Sequence, residues 1–225
     1  FVKKPLLAPL ELTVGAHERV GASGEIVIPL DEEKLKEDLI RLKQKGGIQA
    51  LTICFMNAYI NGENEARARE IAKEIFVDTP ISISSEVVPE MQEYERTETT
   101  VVNSYVRPEV ATYVRNMQNT LAHKMGPSTQ LSILRSDGGL ASARAAAESP
   151  VNLLMSGPAG GVSGAIYFCD RAGYKNILTC DMGGTSTDVA LIQNARARVR
   201  RETIVGDVRV RAPSVDVRTV GAGGG

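Results

Sequence analysis

The stretch LTCDMGGTSTDVALI, residues 178–192, sets a dense polar patch between two apolar runs. Asp181 comes first, Gly183 and Gly184 follow Met182, then come Thr185, Ser186, Thr187 and a second acid, Asp188. Glycine backbone is unshielded and reaches angles closed to other residues. Successive N–H groups in such a turn make a concavity that attracts anions, and three hydroxyls add further donors. A carboxylate beside phosphate oxygens is repulsive unless a divalent cation lies between, so Asp181 in this setting implies Mg²⁺. The ensemble fits a seat for nucleotide phosphates and their metal. The second apolar run starts directly after Asp188, which gives strand–turn–strand. A phosphate loop is strand–loop–helix and carries a Gly-Lys-Ser/Thr that this turn lacks. Two other readings use the same residues. A tight hairpin selects Asp and Gly for turn geometry alone, yet every position from Asp181 to Asp188 except Met182 is Asp, Gly, Thr or Ser. An acid-protease turn needs two carboxylates sharing a proton, and no second Asp-Thr/Ser-Gly follows.

Other stretches could do chemistry too. RSDGG (135–139) repeats the pattern of apolar run, acid and two glycines. Its Asp137, Gly138 and Gly139 are candidates to face substrate or phosphate, or they simply make a turn. SGPAGG (156–161) reads as a Gly-rich loop opening a small-residue helix. A helix start there would favour an anion, while Gly160, Gly161, Gly164 and Ala165 would equally serve close helix packing. SSEVVPEMQEYERT (84–97) carries Glu86, Tyr94, Glu95 and Arg96, either lining a substrate cleft, with Glu86 as the candidate contact, or forming a solvated helix start. GAGGG (221–225) after VDVRTV is a weak match to a dinucleotide turn, because no βαβ unit surrounds it. Asp188 reads as capping its turn more than doing chemistry.

These segments need elements to hold them. Residues 1–30 read as extended, with a hairpin around GASGE. Asp31 offers an N-cap to an amphipathic helix over 34–45, ended by Gly46-Gly47. IQALTICFMNAYI (48–60) holds a buried strand, 63–76 a helix and ISISSEVV (81–88) a second strand, an alternation that favours α/β. Residues 90–123 show apolar positions at helical spacing, including Tyr105 and Tyr113, with Pro108 either kinking one helix or starting another. GPST (126–129) is a break and the expected domain boundary. Beyond it, 131–139 reads as strand plus turn, 140–147 as a short helix, and 176–180, 188–193 and 197–204 as strands.

Composition narrows the class. Among 225 residues, 43% are hydrophobic and 24% charged, ordinary for a soluble globular protein. The formal net charge is −1, which argues against a general electrostatic grip on nucleic acid or an anionic membrane. Aromatics at 4% with no Trp make a base-stacking surface an unlikely design. The three cysteines, Cys54, Cys169 and Cys180, show no CxxC spacing and read as buried thiols in a reducing, cytoplasmic setting. No apolar run approaches a membrane span. The chain begins at Phe1 and stops in glycines, and reads as a piece cut from a longer protein.

DMGGTSTDVALI looks like the second phosphate motif of the actin/hexokinase/Hsp70-type ATPase fold. Four blocks, 82–108, 134–165, 181–191 and 215–225, in this order, resemble the hydantoinase A/oxoprolinase family. That family includes ATP-dependent 5-oxoprolinases, N-methylhydantoinases and subunits of acetone and acetophenone carboxylases. The resemblance implies an α/β fold: a partial actin-like, ribonuclease H-like ATPase core with an N-terminal α/β region. It divides the chain into residues 1–125, part of the N-terminal region, and 126–225, the start of the actin-like domain. It implies ATP and Mg²⁺ as cofactors, Asp181 as catalytic and metal-holding residue, and Gly183, Gly184, Thr185, Ser186 and Thr187 as the phosphate cradle. The implied activity is ATP-driven opening of a cyclic amide such as 5-oxoproline or hydantoin, with a partner subunit or domain of hydantoinase B type and no nucleic acid or membrane partner. The alternatives are a ketone-activating carboxylase subunit and a non-catalytic nucleotide-binding module. A first phosphate motif near the N-terminus and an adenosine motif beyond Gly225 would complete the fold; neither is in this sequence, so the chain alone is expected not to hydrolyse ATP.

Overall fold

In a computed structural model, which describes residues 6–225, the chain divides into two compact units. The first runs to Tyr113 and includes Val208–Val210; the second comprises Val114–Asp207 and Arg211–Gly225.

The first unit opens with a single 3₁₀ turn, Leu10–Leu12. Strands β1 (Arg19–Val20) and β2 (Ile26–Ile28) form the expected antiparallel hairpin. Asp31 then caps helix α1 (Glu32–Lys45), its carboxylate accepting from the Lys34 N–H at 3.0 Å, which satisfies one of the free donors of the first turn. Gly46, at φ 74°, ends it. Strand β3 (Leu51–Ile53), helix α2 (Glu63–Ile75) and strand β4 (Ile81–Ile83) follow. β3 and β4 pair in parallel, so α2 is their crossover. Leu35 and Leu39 of α1, Ala68, Ile71 and Ile75 of α2, and Ile53, Ile81 and Ile83 of the strands bury together as this unit's core.

Three sequence expectations change in this region. The strand expected over 81–88 ends at Ile83, and Ser84–Val87 form a short helix, α3. The alternation of ISISSEVV hides that switch; the Ser84 and Ser85 groups bind Glu65 instead of a neighbouring strand. Helix α4 (Glu93–Met125) runs unbroken through Pro108. Next to that proline, Arg107 donates to the Ile81 carbonyl at 2.7 Å and to Ser82, anchoring the helix where proline removes a backbone bond. Tyr105 and Tyr113, two of its helically spaced apolar residues, are exposed, and in the first unit α4 buries polar side chains, Arg96, Thr99, Thr100, Asn103 and Ser104.

In the second unit β5 (Ser132–Leu134) and β6 (Leu140–Ser142) make a hairpin, so the helix expected from 140 starts later, as α5 (Ala143–Glu148), capped by Ser142. A 3₁₀ turn, Pro150–Leu153, leads to helix α6 (Ser156–Arg171). Its glycines lie inside the helix, so the Gly-rich loop expected there is not a loop. β7 (Ile177–Met182) and β8 (Thr187–Gln193) pair antiparallel. Short strands β9 (Arg196–Ala197), β10 (Val199–Arg200), β11 (Thr203–Val205), β12 (Val208–Val210) and β13 (Ser214–Val215) precede β14 (Val217–Val220). The main sheet has the order β14-β8-β7, with β9 also paired to β8. Ala159 and Val162 of α6 pack on Ala190 and Ile192 of β8 and on Val215 as this unit's core.

The period-2 alternation of β7 puts Leu178, Cys180 and Met182 on one face, and all three are exposed. Cys180 is therefore not the buried thiol its apolar surroundings implied. All three cysteines are free thiols. Among the described residues no helix is long and apolar enough to cross a membrane.

Candidate functional site

The hairpin β7/β8 delivers the polar patch at its tip. Its register sets Asp181 directly opposite Asp188 and Met182 opposite Thr187. Opposed residues have Cβ atoms about 5 Å apart, and like charges placed so repel. Asp188 is partly compensated: the Thr219 hydroxyl of β14 donates to its Oδ1 at 2.6 Å. Among the described residues no donor faces the Asp181 carboxylate, which is exposed. Helix α6 passes close to it at Gly161, where a Cβ would stand 3.3 Å from Asp181 Oδ2. The glycine lets the helix lie against the acid without covering it. Between α6 and the sheet runs a cleft lined by Pro158, Gly161, Ala165, Asp181, Asp188 and Val217.

The turn itself is polarised. The Gly183 N–H donates to the Ser186 carbonyl at 2.9 Å and closes it. The Gly183 and Gly184 carbonyls accept from Gly224 and Gly225 at 3.0 and 3.2 Å, and the Thr187 hydroxyl donates to the Ala222 carbonyl at 2.5 Å. The N–H groups of Gly184, Thr185 and Ser186 have no acceptor among the described residues. The Gly183, Gly184 and Ser186 carbonyls are engaged while N–H donors are left over, a condition that favours an anion.

RSDGG is a closed turn at the tip of β5/β6. Asp137 accepts from the Gly139 N–H at 3.0 Å and from Arg135 Nη2 at 2.7 Å, so both of its oxygens hold the turn. Gly138 sits at φ 86°, a left-handed angle that favours glycine, with Ser163 of α6 next to it. Gly160 of α6 lies against Leu134, which makes the small residues of this helix packing positions on one side and the rim of the cleft on the other.

Glu86 belongs to the first unit, on α3, exposed and ion-paired to Arg69 at 2.5 Å. Tyr94 is exposed as well, but Arg96 is buried, donating to Ser84 at 3.1 Å, to the Glu90 carbonyl at 3.0 Å and to the Phe55 carbonyl at 2.7 Å, with its guanidinium over the Tyr59 ring. Sequence reasoning missed Glu65, which shares Ser84 and the Phe55 backbone with Arg96. This fully buried carboxylate accepts from the Phe55 N–H, the Ser84 hydroxyl and the Ser85 N–H at 2.6–2.8 Å. Its place on an amphipathic helix gave no signal. Beside this network, burial first and the Glu65 charge second push the Cys54 thiol above its ordinary pKa.

The hairpin turn, with unused N–H groups beside two opposed carboxylates, is the arrangement in the second unit that could take an anion. The family model described as hydantoinase/oxoprolinase matches residues 96–225, and that of its N-terminal region matches residues 2–76. The chain belongs to the hydantoinase/oxoprolinase family. It is 31% identical to the caprolactamase subunit alpha of Pseudomonas jessenii, over 98% of this chain and 31% of that one. It is 32% identical to the 5-oxoprolinase of Saccharomyces cerevisiae, over 91% of this chain and 16% of that one. It superposes on a nucleotide-free acetone carboxylase structure with a TM-score of 0.86 at 31% identity, covering 98% of this chain and 31% of that one. With the crystal structure of the ATP-dependent caprolactamase of Pseudomonas jessenii the TM-score is 0.80 at 30% identity, covering 93% and 30%. The chain thus spans about a third of the length of most of these relatives. The fold is α/β, with part of an actin-like ATPase core and an N-terminal α/β region.

Proposed function

We propose that this chain supplies one phosphate seat of an ATP-dependent enzyme that opens cyclic amides. The observation that carries the reading is the turn of Gly184, Thr185 and Ser186, with free N–H groups, beside the Asp181–Asp188 pair. A lactam is resonance-stabilised and a poor electrophile; ATP supplies the phosphoryl group that activates its oxygen, and Mg²⁺ neutralises charge on the phosphates. Among the described residues no group of three or more His, Cys, Asp or Glu could hold a metal. Two carboxylates on neighbouring strands nonetheless suit Mg²⁺, which is usually held by one or two carboxylates together with substrate phosphates.

The chain's own residues then divide the work. Asp181 holds the cation and is the catalytic candidate. Asp188, held by Thr219, sets the orientation of the pair. Gly183 and Gly184 shape the turn, while the N–H groups of Gly184, Thr185 and Ser186 and the hydroxyls of Thr185 and Ser186 bind phosphate oxygens. Thr187 spends its hydroxyl on Ala222 and holds the turn in place. Positioning and charge neutralisation are what phosphoryl transfer requires of a protein. Asp137, Gly138 and Gly139 serve the architecture of the second unit, and Glu86 stays the weaker substrate candidate of the first.

The residue ranges 1–125 and 126–225 are proposed as the N-terminal region and the start of the actin-like domain. A protein subunit of hydantoinase B type is the proposed partner, since one relative is a caprolactamase subunit alpha. The acetone carboxylase likeness keeps a second reading, activation of a ketone for carboxylation. The test of the seat is Mg-ATP binding by calorimetry, on the protein at the length of its relatives. Wild-type affinity should rise with Mg²⁺, and Asp181→Asn should remove most of that dependence. Equal Mg²⁺ dependence in both proteins would remove Asp181 from the site.

A further inference from the structure

The segment Ala222–Gly225 continues past β14 and lies on the phosphate turn. It follows the antiparallel pairing of β14 with β8, whose last pair sets Val220 opposite Thr187. Three hydrogen bonds join the two: Gly224 N–H to Gly183 carbonyl, Gly225 N–H to Gly184 carbonyl, and Thr187 hydroxyl to Ala222 carbonyl. Gly223 sits at the closest approach. A Cβ built there would stand 2.2 Å from the Gly184 carbonyl oxygen and 2.5 Å from the Thr185 nitrogen. Both are backbone atoms that no rotamer change can move aside. Gly223 does not have a left-handed φ, so its requirement is space and not backbone angle. Gly221, one turn of the chain earlier, meets nothing within 4 Å of the same hypothetical atom.

We propose that Ala222–Gly225 is a positioning clamp for the phosphate turn, and that Gly223 is the residue that permits it. The inference rests on the phosphate-seat reading of the turn. By donating from its own N–H groups to the Gly183 and Gly184 carbonyls, the segment holds the acceptor ends of those two peptides. The opposite ends of the same two peptides, the N–H groups of Gly184 and Thr185, are thereby fixed as donors before any ligand arrives, with the Ser186 N–H next along the turn. An anion seat works through such preorganisation, because donors that need no rearrangement at binding cost none. A methyl at Gly223 forces the clamp off by roughly the difference between 2.2 Å and an ordinary contact of about 3.5 Å. Misplacement on the order of 1 Å costs about 100-fold where geometry carries the function.

The experiment compares Gly223→Ala, Gly221→Ala, Thr187→Val and Thr187→Ser in the full-length protein. It reads KM for Mg-ATP and kcat separately, with thermal melting as a check on folding. Gly223→Ala should raise KM for Mg-ATP about tenfold or more, with a smaller change in kcat, while Gly221→Ala stays near wild type. Thr187→Val should raise KM several-fold, and Thr187→Ser, which keeps the hydroxyl, should restore it. A purely structural role would lower the melting temperature and leave KM of the folded fraction unchanged, and that result overturns the clamp. If Gly223→Ala fails to fold, the Thr187 pair decides: equal KM in Thr187→Val and Thr187→Ser overturns it. If Asp181→Asn weakens Mg-ATP binding and none of these variants does, the clamp alone fails. If wild type binds no Mg-ATP, the phosphate seat fails and the clamp with it.

Discussion

Asp181 and Asp188 face each other across two strands, and among the described residues only Asp188 has a donor to settle its charge. A hairpin built only for stability gains nothing by opposing two acids, and that imbalance supports the proposed role of the pair. The cysteines give a separate residue-scale test. The thiolate is the reactive form, and Cys54 has its pKa raised by burial, then by Glu65. At pH 8 it should react with iodoacetamide after Cys180, which is exposed on β7. The linkage has a definite sign. A raised folded-state pKa favours the neutral thiol, so its stabilising contribution is full below the unfolded pKa and is lost as pH rises through the folded one. Peptide mapping after partial alkylation reads the order directly; Cys54 reacting first would mean that its burial is wrong.

At the scale of elements, Glu65 links α2 to the residues following β3 and β4. It accepts from the Phe55 N–H, the Ser84 hydroxyl and the Ser85 N–H. Glu65→Gln keeps the shape but turns an NH₂ toward a donor, so urea unfolding should show a loss of about 1–3 kcal/mol; no loss would mean the network carries little stability. This element was illegible in sequence. Glu65 is one acid among several on α2, and only the chain's return through Ser84 makes it buried. Other elements were legible because their signals are local. Asp31 and Gly46 mark the ends of α1, and two apolar runs around DMGGTST mark the hairpin. Where signals conflicted, tertiary contacts decided. Glycines that read as a loop at 156–161 lie in α6, where Gly160 and Gly161 pack closely on Leu134 and Asp181 while Gly157 meets nothing. The contact between GAGGG and the turn depends on the register of β14, which no short stretch encodes.

For the molecule as a whole, family membership and fold agree. Caprolactamase, 5-oxoprolinase and acetone carboxylase match it at nearly the same identity, 30–32%. The likeness therefore does not rank a lactam above a ketone. The proposed phosphate seat would serve either chemistry. The most direct measurement is ADP release with Mg-ATP by the protein at the length of its relatives, across 5-oxoproline, caprolactam, hydantoin and acetone, with Asp181→Asn alongside. A cyclic amide should stimulate ADP release, and Asp181→Asn should lower it by about 100-fold or more, the scale of a lost electrostatic contact in the transition state. Stimulated turnover that survives Asp181→Asn undiminished would contradict the proposed role of Asp181.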